Sequence, residues 1–519
     1  MRFTSVIVAA LAAVFVSISS YADWLTFAHD AQRTGWAPEE THLTPENVSG
    51  MSLLWKSKLD VQSYSLFALT APVVASDVST RMGPRTVVYV AGISGAIFAL
   101  DAETGETLWT HTFKNFVDSR KNVYMFQGGF LCPNGITATP VIDKSTGTLY
   151  FIGPDGMLYG VDLGDGSLRY GPVQFVAPFS KSWSLNLVDG RIYTTLSQGC
   201  GNGISGFYSI DIRDRHHPVI QQGLLSNTNT AGVWGRGGPV IGANGRVYGG
   251  TADGKFDALA GDYSDSVVSA SLKDLRALDY YLPPNWDYLR KKDFDLGSAS
   301  PVYFGWRNRN LVAHGAKEGV VYLLDADSLG GNDHQTPLYV SPRLGNDRAV
   351  CCEGLGIWGG LSTARDATGQ TWLFVPMAGP PAVNGPAFPI TNGDNPHGSV
   401  MAFRVVADAK TREPALEPAW ISGDFDHPDP VVIANGIVFA LSNGENAVQH
   451  GGEKLRLENT HPAVLKALDA KTGKEIFNSG TAMTGWVHFS GIALSGGRVF
   501  AVDHDSTVYC FGLQPKTSN

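Results

Sequence analysis

Apolar residues along this chain fall into short runs broken by turn residues, and one unit recurs: strand, Asp-Gly-type turn, strand ending in Leu-Asp, then Thr-Gly and an aromatic. The clearest copy reads Val88-Tyr89-Val90, then Gly95 to Asp101, Thr104-Gly105 and Trp109. Further copies span residues 149–170, 191–211, 246–256, 311–329, 372–420, 437–477 and 498–511, which makes eight. A second series precedes them: small residue, Pro and aliphatic pair, as in Ala71-Pro72-Val73-Val74, Thr139-Pro140-Val141-Ile142, Gly238-Pro239-Val240-Ile241, Ser300-Pro301-Val302 and Asp429-Pro430-Val431-Val432. Weaker members lie near Asn186, Ser362 and Ile492. The spacing, roughly 45 to 70 residues, suits a four-stranded blade with its loops.

One such sheet cannot bury both of its faces, so blades must stack radially. The expected fold is therefore all-β, an eight-bladed propeller of four-stranded antiparallel blades over residues 23–519. Ser52 to Lys56 is the strand expected to complete the blade begun at Arg498, closing the ring. The aromatics that end repeats, Trp109 and Phe477, are expected to pack between blades.

Composition agrees. Gly numbers 60 and Pro 28, charged residues are only 17%, and no helical heptad or long amphipathic stretch interrupts the strands. At the start, Arg2 precedes an apolar run over residues 6–16 and the small-residue exit Ser20-Tyr21-Ala22. This order predicts a signal peptide over residues 1–22, cleaved near Ala22, and a periplasmic or secreted protein. The run is too short to span a bilayer and no lipid-bearing Cys follows, so no membrane anchor is expected. The formal charge of −9, one unit more negative without Arg2, argues against a nucleic-acid partner.

The series Ala99-x-Asp101-x-x-Thr104-Gly105-x-x-x-Trp109 resembles the tryptophan-docking repeat of quinoprotein alcohol dehydrogenases. The openings Trp24-Leu25-Thr26-Phe27, Arg33-Thr34-Gly35 and residues 43–48 resemble the same superfamily, including polyvinyl-alcohol dehydrogenase-like members. The resemblance covers essentially the whole mature chain. It implies an oxidoreductase that oxidises an alcohol or sugar with pyrroloquinoline quinone (PQQ) and calcium at the propeller axis. The same fold also serves non-catalytic binding and scaffold proteins of the cell envelope, which is the alternative.

The resemblance supplies candidates. Trp234, before Gly235 and Arg236, is similar to the family's floor tryptophan, and Arg236 joins it as a cofactor contact. Asp262, just before Tyr263-Ser264-Asp265-Ser266, stands where the family has its catalytic base. Asp293-Phe294-Asp295 resembles the family's Trp-Asp-x-Asp segment, a metal-ligand candidate, and Lys317-Glu318-Gly319 resembles the segment that touches the quinone oxygens. Thr251-Ala252-Asp253 departs from the family's Thr-Gly-Asn, so Asp253 is a metal ligand only through a changed oxygen donor. Each also has a plainer reading as a turn former or inter-blade packing residue.

Cys351 and Cys352 are adjacent, as in the vicinal disulfide that roofs the cofactor in some family members. Here the pair falls between the fifth and sixth blades rather than in an early one. The alternatives are a structural role or long-range bridges to Cys132 or Cys200, while Cys510 reads as a buried thiol. The sequence lacks Cys-x-x-Cys-His, so no c-type haem is expected and electrons leave through a separate acceptor. His427 and His488 sit where a propeller presents side chains at its axial mouth, and inserts at 378–398 and 443–462 are long enough to cover one face.

Overall fold

A computed structural model describes residues 22–113, 132, 135–227, 230–448 and 452–514. Of the expected leader, residues 1–22, all but Ala22 lies outside the described residues. Among them, strands form eight four-stranded antiparallel blades in a ring, with two α-helices, Trp286–Lys292 and Gly452–Glu458. Blade 1 is Val73–Thr80, Gly83–Gly92, Ala96–Asp101 and Thr107–Thr112, paired in chain order. The Pro-aliphatic series does supply innermost strands: Val141–Asp143, Val240–Ile241, Val302–Trp306 and Val432–Ala434 each open a blade.

Closure follows the expected route. Met51–Lys58 runs antiparallel to Thr507–Leu513, from Met51 opposite Leu513 to Lys58 opposite Thr507. The largest apolar cluster sits at this seam and joins Val90 and Phe98 of blade 1, Phe439 of blade 7 and Phe500 of blade 8.

The repeat signature has a mechanical meaning. Trp109 Nε1 donates to Leu163 O of the next blade at 2.9 Å, and Trp420 Nε1 to Ala470 O at 2.9 Å. Each indole face lies on the glycine of the neighbouring turn. A Cβ on Gly166 would come within 2.7 Å of Trp109, and one on Gly473 within 2.3 Å of Trp420; both glycines also hold φ near +70°. Phe477 likewise meets Phe511 of the following blade, with ring centroids 6.4 Å apart.

Blade 4 departs from the expected repeat at 246–256. Its second strand, Arg246–Gly250, pairs with Val267–Ser271, and the residues between carry a separate hairpin, Phe256–Asp257 with Asp262–Tyr263. The Asp253-Gly254 dipeptide that imitates a blade turn instead opens this insert. In antiparallel blades, connections from strand two to three and from one blade to the next emerge at the same end of the ring. The blade-4 insert therefore opens on the same face as the segments that precede each innermost strand.

Candidate active site

On that face, at the axis, lies a cavity of about 350 Å³, within the size range of small-molecule sites. Its walls come from inter-blade segments bearing Phe67, Trp234, Arg236, Trp358 and His488, and from the connections bearing Asp253 and Lys317. Ala447 and Arg456 of the 443–462 insert also line it.

One end is acidic. The turn after helix Trp286–Lys292 places Asp293 in a left-handed conformation (φ 55°), and Asp295 follows with the 3-10 turn Leu296–Ser298. Lys317, at the hairpin between Arg309–Gly315 and Val321–Asp325, turns its ammonium into this segment. Its Nζ donates to Asp293 O and Oδ1, both at 3.0 Å, and pairs with Asp295 Oδ2 at 2.5 Å. Trp234 Nε1 donates to the other oxygen of Asp295 at 2.8 Å. The same ammonium stands 5.4 Å from the Trp234 ring centroid and 5.2 Å from that of Trp358. Burial pulls the Lys317 pKa down, but Asp295 and Asp293 more than offset this and raise it.

Behind this network stand Asp253 and Asp265, with Asp265 fully buried. Among the described residues no N–H or hydroxyl donates to either oxygen of Asp265 or to Oδ1 of Asp253, and the two carboxyls stand close enough for one, when protonated, to hydrogen-bond the other. Burial raises both pKa values; Asp295 and Asp293 raise that of Asp253 further, and Asp253 and Asp295 that of Asp265. Asp293 is also raised, by burial and then by Asp295. Four carboxyls thus share one ammonium.

The opposite end is basic. Arg236 Nη2 donates to His488 O at 2.7 Å, and its guanidinium lies 5.0 Å from the Phe67 centroid and 5.4 Å from that of Trp183. Burial lowers its pKa to about 10 despite Asp429 and Glu445 nearby. His488 Nδ1 donates to Glu445 Oε2 at 2.6 Å, and Arg456 pairs with the other oxygen of Glu445. Burial lowers the His488 pKa to about 4 even beside that carboxylate.

Of the residues expected from sequence, Trp234, Arg236, Asp253, Asp293, Asp295 and Lys317 all line this cavity. Asp262, expected as the base, does not: it lies in the blade-4 hairpin, and its Oδ1 accepts from the Asn227 amide at 2.8 Å. Sequence reasoning misses Asp265, Lys181 and Trp358 as site residues. The first two sit in ordinary polar surroundings in the sequence, and only the approach of distant segments gives them a role.

Cys351 and Cys352 form a vicinal disulfide, and a second bridge joins Cys132 to Cys200. Long-range bridges from the pair are thereby replaced, and Cys510 is a buried thiol. The pair does not line the cavity, but Cys352 Sγ lies 3.6 Å from Asp293 Oδ2, so the disulfide braces the acidic end from outside. His427 contacts Asp426 and the carbonyl of Gly354, away from the cavity walls.

The family model for the β-propeller domain of glucose, ethanol and alcohol dehydrogenases (PQQ) matches residues 24–171. A 1-butanol dehydrogenase (cytochrome c) from Thauera butanivorans is 22% identical over 358 residues, covering 61% of this chain and 48% of that protein. The chain thus aligns with about half the length of that curated relative. Two solved structures share the fold. The quinohemoprotein alcohol dehydrogenase of Comamonas testosteroni has a TM-score of 0.54 at 13% identity, covering 96% of this chain and 82% of that one. A europium-containing methanol dehydrogenase has a TM-score of 0.58 at 15% identity, covering 94% and 89%. Residues 24–171 thus match the PQQ-type β-propeller model, and the ring as a whole shares its β-propeller fold with these two solved structures.

Proposed function

We propose that the protein is an exported quinoprotein-type oxidoreductase that oxidises an alcohol or sugar, with PQQ and a metal cation held in the axial cavity. One observation carries this reading: buried oxygens of Asp265 and Asp253 that no N–H or hydroxyl among the described residues reaches adjoin Asp293, Asp295 and Lys317 beside two indole faces. An all-oxygen carboxylate set suits a hard cation. Calcium is the divalent candidate, and europium, which the similar methanol dehydrogenase contains, is the trivalent one.

Asp253, Asp265 and Asp295 would hold the cation, and Trp234 would floor the quinone. PQQ, when bound, supplies the two-electron acceptor. The chain's own residues must orient the hydroxyl and take its proton. Asp293 suits this role, because its side chain is 44% exposed, it lines the cavity, and its raised pKa brings it nearer neutrality than an ordinary carboxylate. Lys317 donates to Asp293 O and Oδ1 and is ion-paired with Asp295, so proton acceptance at Asp293 would loosen its hold on the ammonium. Export by the N-terminal leader and electron transfer to a separate acceptor complete the reading.

The test is dye-linked oxidation of 1-butanol and glucose by purified protein incubated with PQQ and calcium or europium ions. Saturable turnover is expected, and Asp293→Asn should lower kcat at least 100-fold, the scale of a general base. Folded protein without saturable PQQ binding would contradict the reading and leave a binding propeller.

A further inference from the structure

The basic end of the cavity contains one cation that the oxidoreductase reading does not use. Lys181 opens blade 3 in the strand Lys181–Ser182, is only 4% exposed, and lines the cavity. Its Nζ lies 5.0 Å from the ring centroids of both Phe67 and Trp183. The guanidinium of Arg236 stands over the same two rings. No carboxylate or carbonyl among the described residues bonds to Lys181, and the charges nearest in effect, Arg236 and Arg456, are of its own sign. The carboxylates of this region are engaged elsewhere. Glu445 holds Arg456 and His488, and Asp429 accepts from Asn443 Nδ2 and the Gly491 amide. Burial and the two arginines push the Lys181 pKa well below its ordinary value. A lysine buried without a partner is costly, and charged groups this deep are ordinarily paired.

We propose that Lys181 and Arg236 form a carboxylate-binding subsite at this end of the cavity, framed by Phe67 and Trp183. A planar carboxylate suits the flat aromatic walls, the guanidinium offers it a directional fork, and Lys181 a point charge. The inference does not depend on the quinone: the carboxylate belongs either to PQQ, a tricarboxylic acid, or to a hydroxy-acid substrate.

Calorimetric titration of the purified full-length protein separates these sources. The probes are PQQ against its trimethyl ester, and glycolate against ethylene glycol, each with wild type, Lys181→Met and Lys181→Arg. In wild type the acid should bind at least tenfold more tightly than its neutral counterpart in one pair. Lys181→Met should abolish that preference and Lys181→Arg should retain most of it. Without ligand, Lys181→Met should melt no lower than wild type, because it removes a buried amine that has no hydrogen-bond partner among the described residues and keeps an apolar chain against Phe67 and Trp183. A preference in the PQQ pair assigns the subsite to the cofactor. A preference for glycolate with no PQQ binding assigns it to substrate and overturns the quinone reading alone. PQQ binding that is indifferent to esterification, with no glycolate preference, overturns the subsite and leaves the quinone reading standing. Equal preferences in Lys181→Met and wild type, inorganic phosphate bound in place of carboxylates, or no binding of any probe also overturns it.

Discussion

At the acidic end of the axial cavity four carboxyls face one ammonium, while at the basic end Lys181, Arg236 and Arg456 face Glu445 and Asp429. Among the described residues each end leaves acid or base without an opposite charge: Asp253 and Asp265 at one, Lys181 at the other. Buried ionisable groups are ordinarily neutralised where they stand. Opposite surpluses within one cavity are what the proposed occupants, a cation at one end and an anion at the other, would neutralise.

The largest effect should come from removing the single ammonium of the acidic end. Lys317→Met strands Asp295 and Asp293, and at pH 8 it should cost about 3 to 5 kcal/mol of stability in denaturant unfolding. The loss should shrink towards pH 5 as Asp293, whose pKa is raised by burial and by Asp295, takes up a proton.

Removing a surplus group should act in the opposite direction. Asp265→Asn relieves a buried carboxyl without a donor and should stabilise the cation-free protein by about 1 to 3 kcal/mol. It should also abolish the rise in Tm on adding calcium or europium ions. If Asp265→Asn were as destabilising as Lys317→Met, the surplus would be structural.

The pH dependence separates the ends further. Asp253 and Asp265 have folded-state pKa values raised first by burial and then by neighbouring carboxylates, Asp295 and Asp293 for Asp253, Asp253 and Asp295 for Asp265. The stability they contribute is present below their unfolded values, near pH 4, and is lost as pH rises through the raised ones. Without a cation, Tm should therefore fall between about pH 5 and pH 9. A saturating cation should reverse this slope, because it binds the ionised form, and differential scanning calorimetry checks both. The smallest effect belongs to the basic end. Arg236→Lys keeps the charge but loses the planar contact with Phe67 and Trp183 and the bond to His488 O, and should cost about 1 kcal/mol in the same unfolding assay.

The ring was legible in the sequence because each blade is specified locally. The Thr-Gly turn, the docking tryptophan and the Pro-aliphatic strand lie within one repeat, and Trp109 on Gly166 needs only the neighbouring copy. The blade-4 hairpin was not legible, because Asp253-Gly254 has the local chemistry of a blade turn while the true partner strand begins at Val267. The acidic end was half legible. Asp293, Asp295 and Lys317 stand in recognisable segments, whereas Asp265 is revealed only by its burial without a donor. Asp262 illustrates the converse: three residues from Asp265, it spends its carboxylate on the Asn227 amide. The basic end was less legible: Arg236 and His488 stand out in the sequence, whereas Lys181 and Arg456 come from separate regions of the chain and meet them only when the ring closes.

The central claim is that the acidic end holds a cation which prepares the cavity for a quinone. Its most direct test is titration of the purified protein with PQQ in the absence and presence of calcium or europium ions, repeated with Asp253→Asn/Asp265→Asn. The account predicts at least tenfold tighter PQQ binding with cation, about 1.4 kcal/mol, and no such gain in the double variant. Binding that is absent, or that is indifferent to the cation in folded wild-type protein, would contradict it.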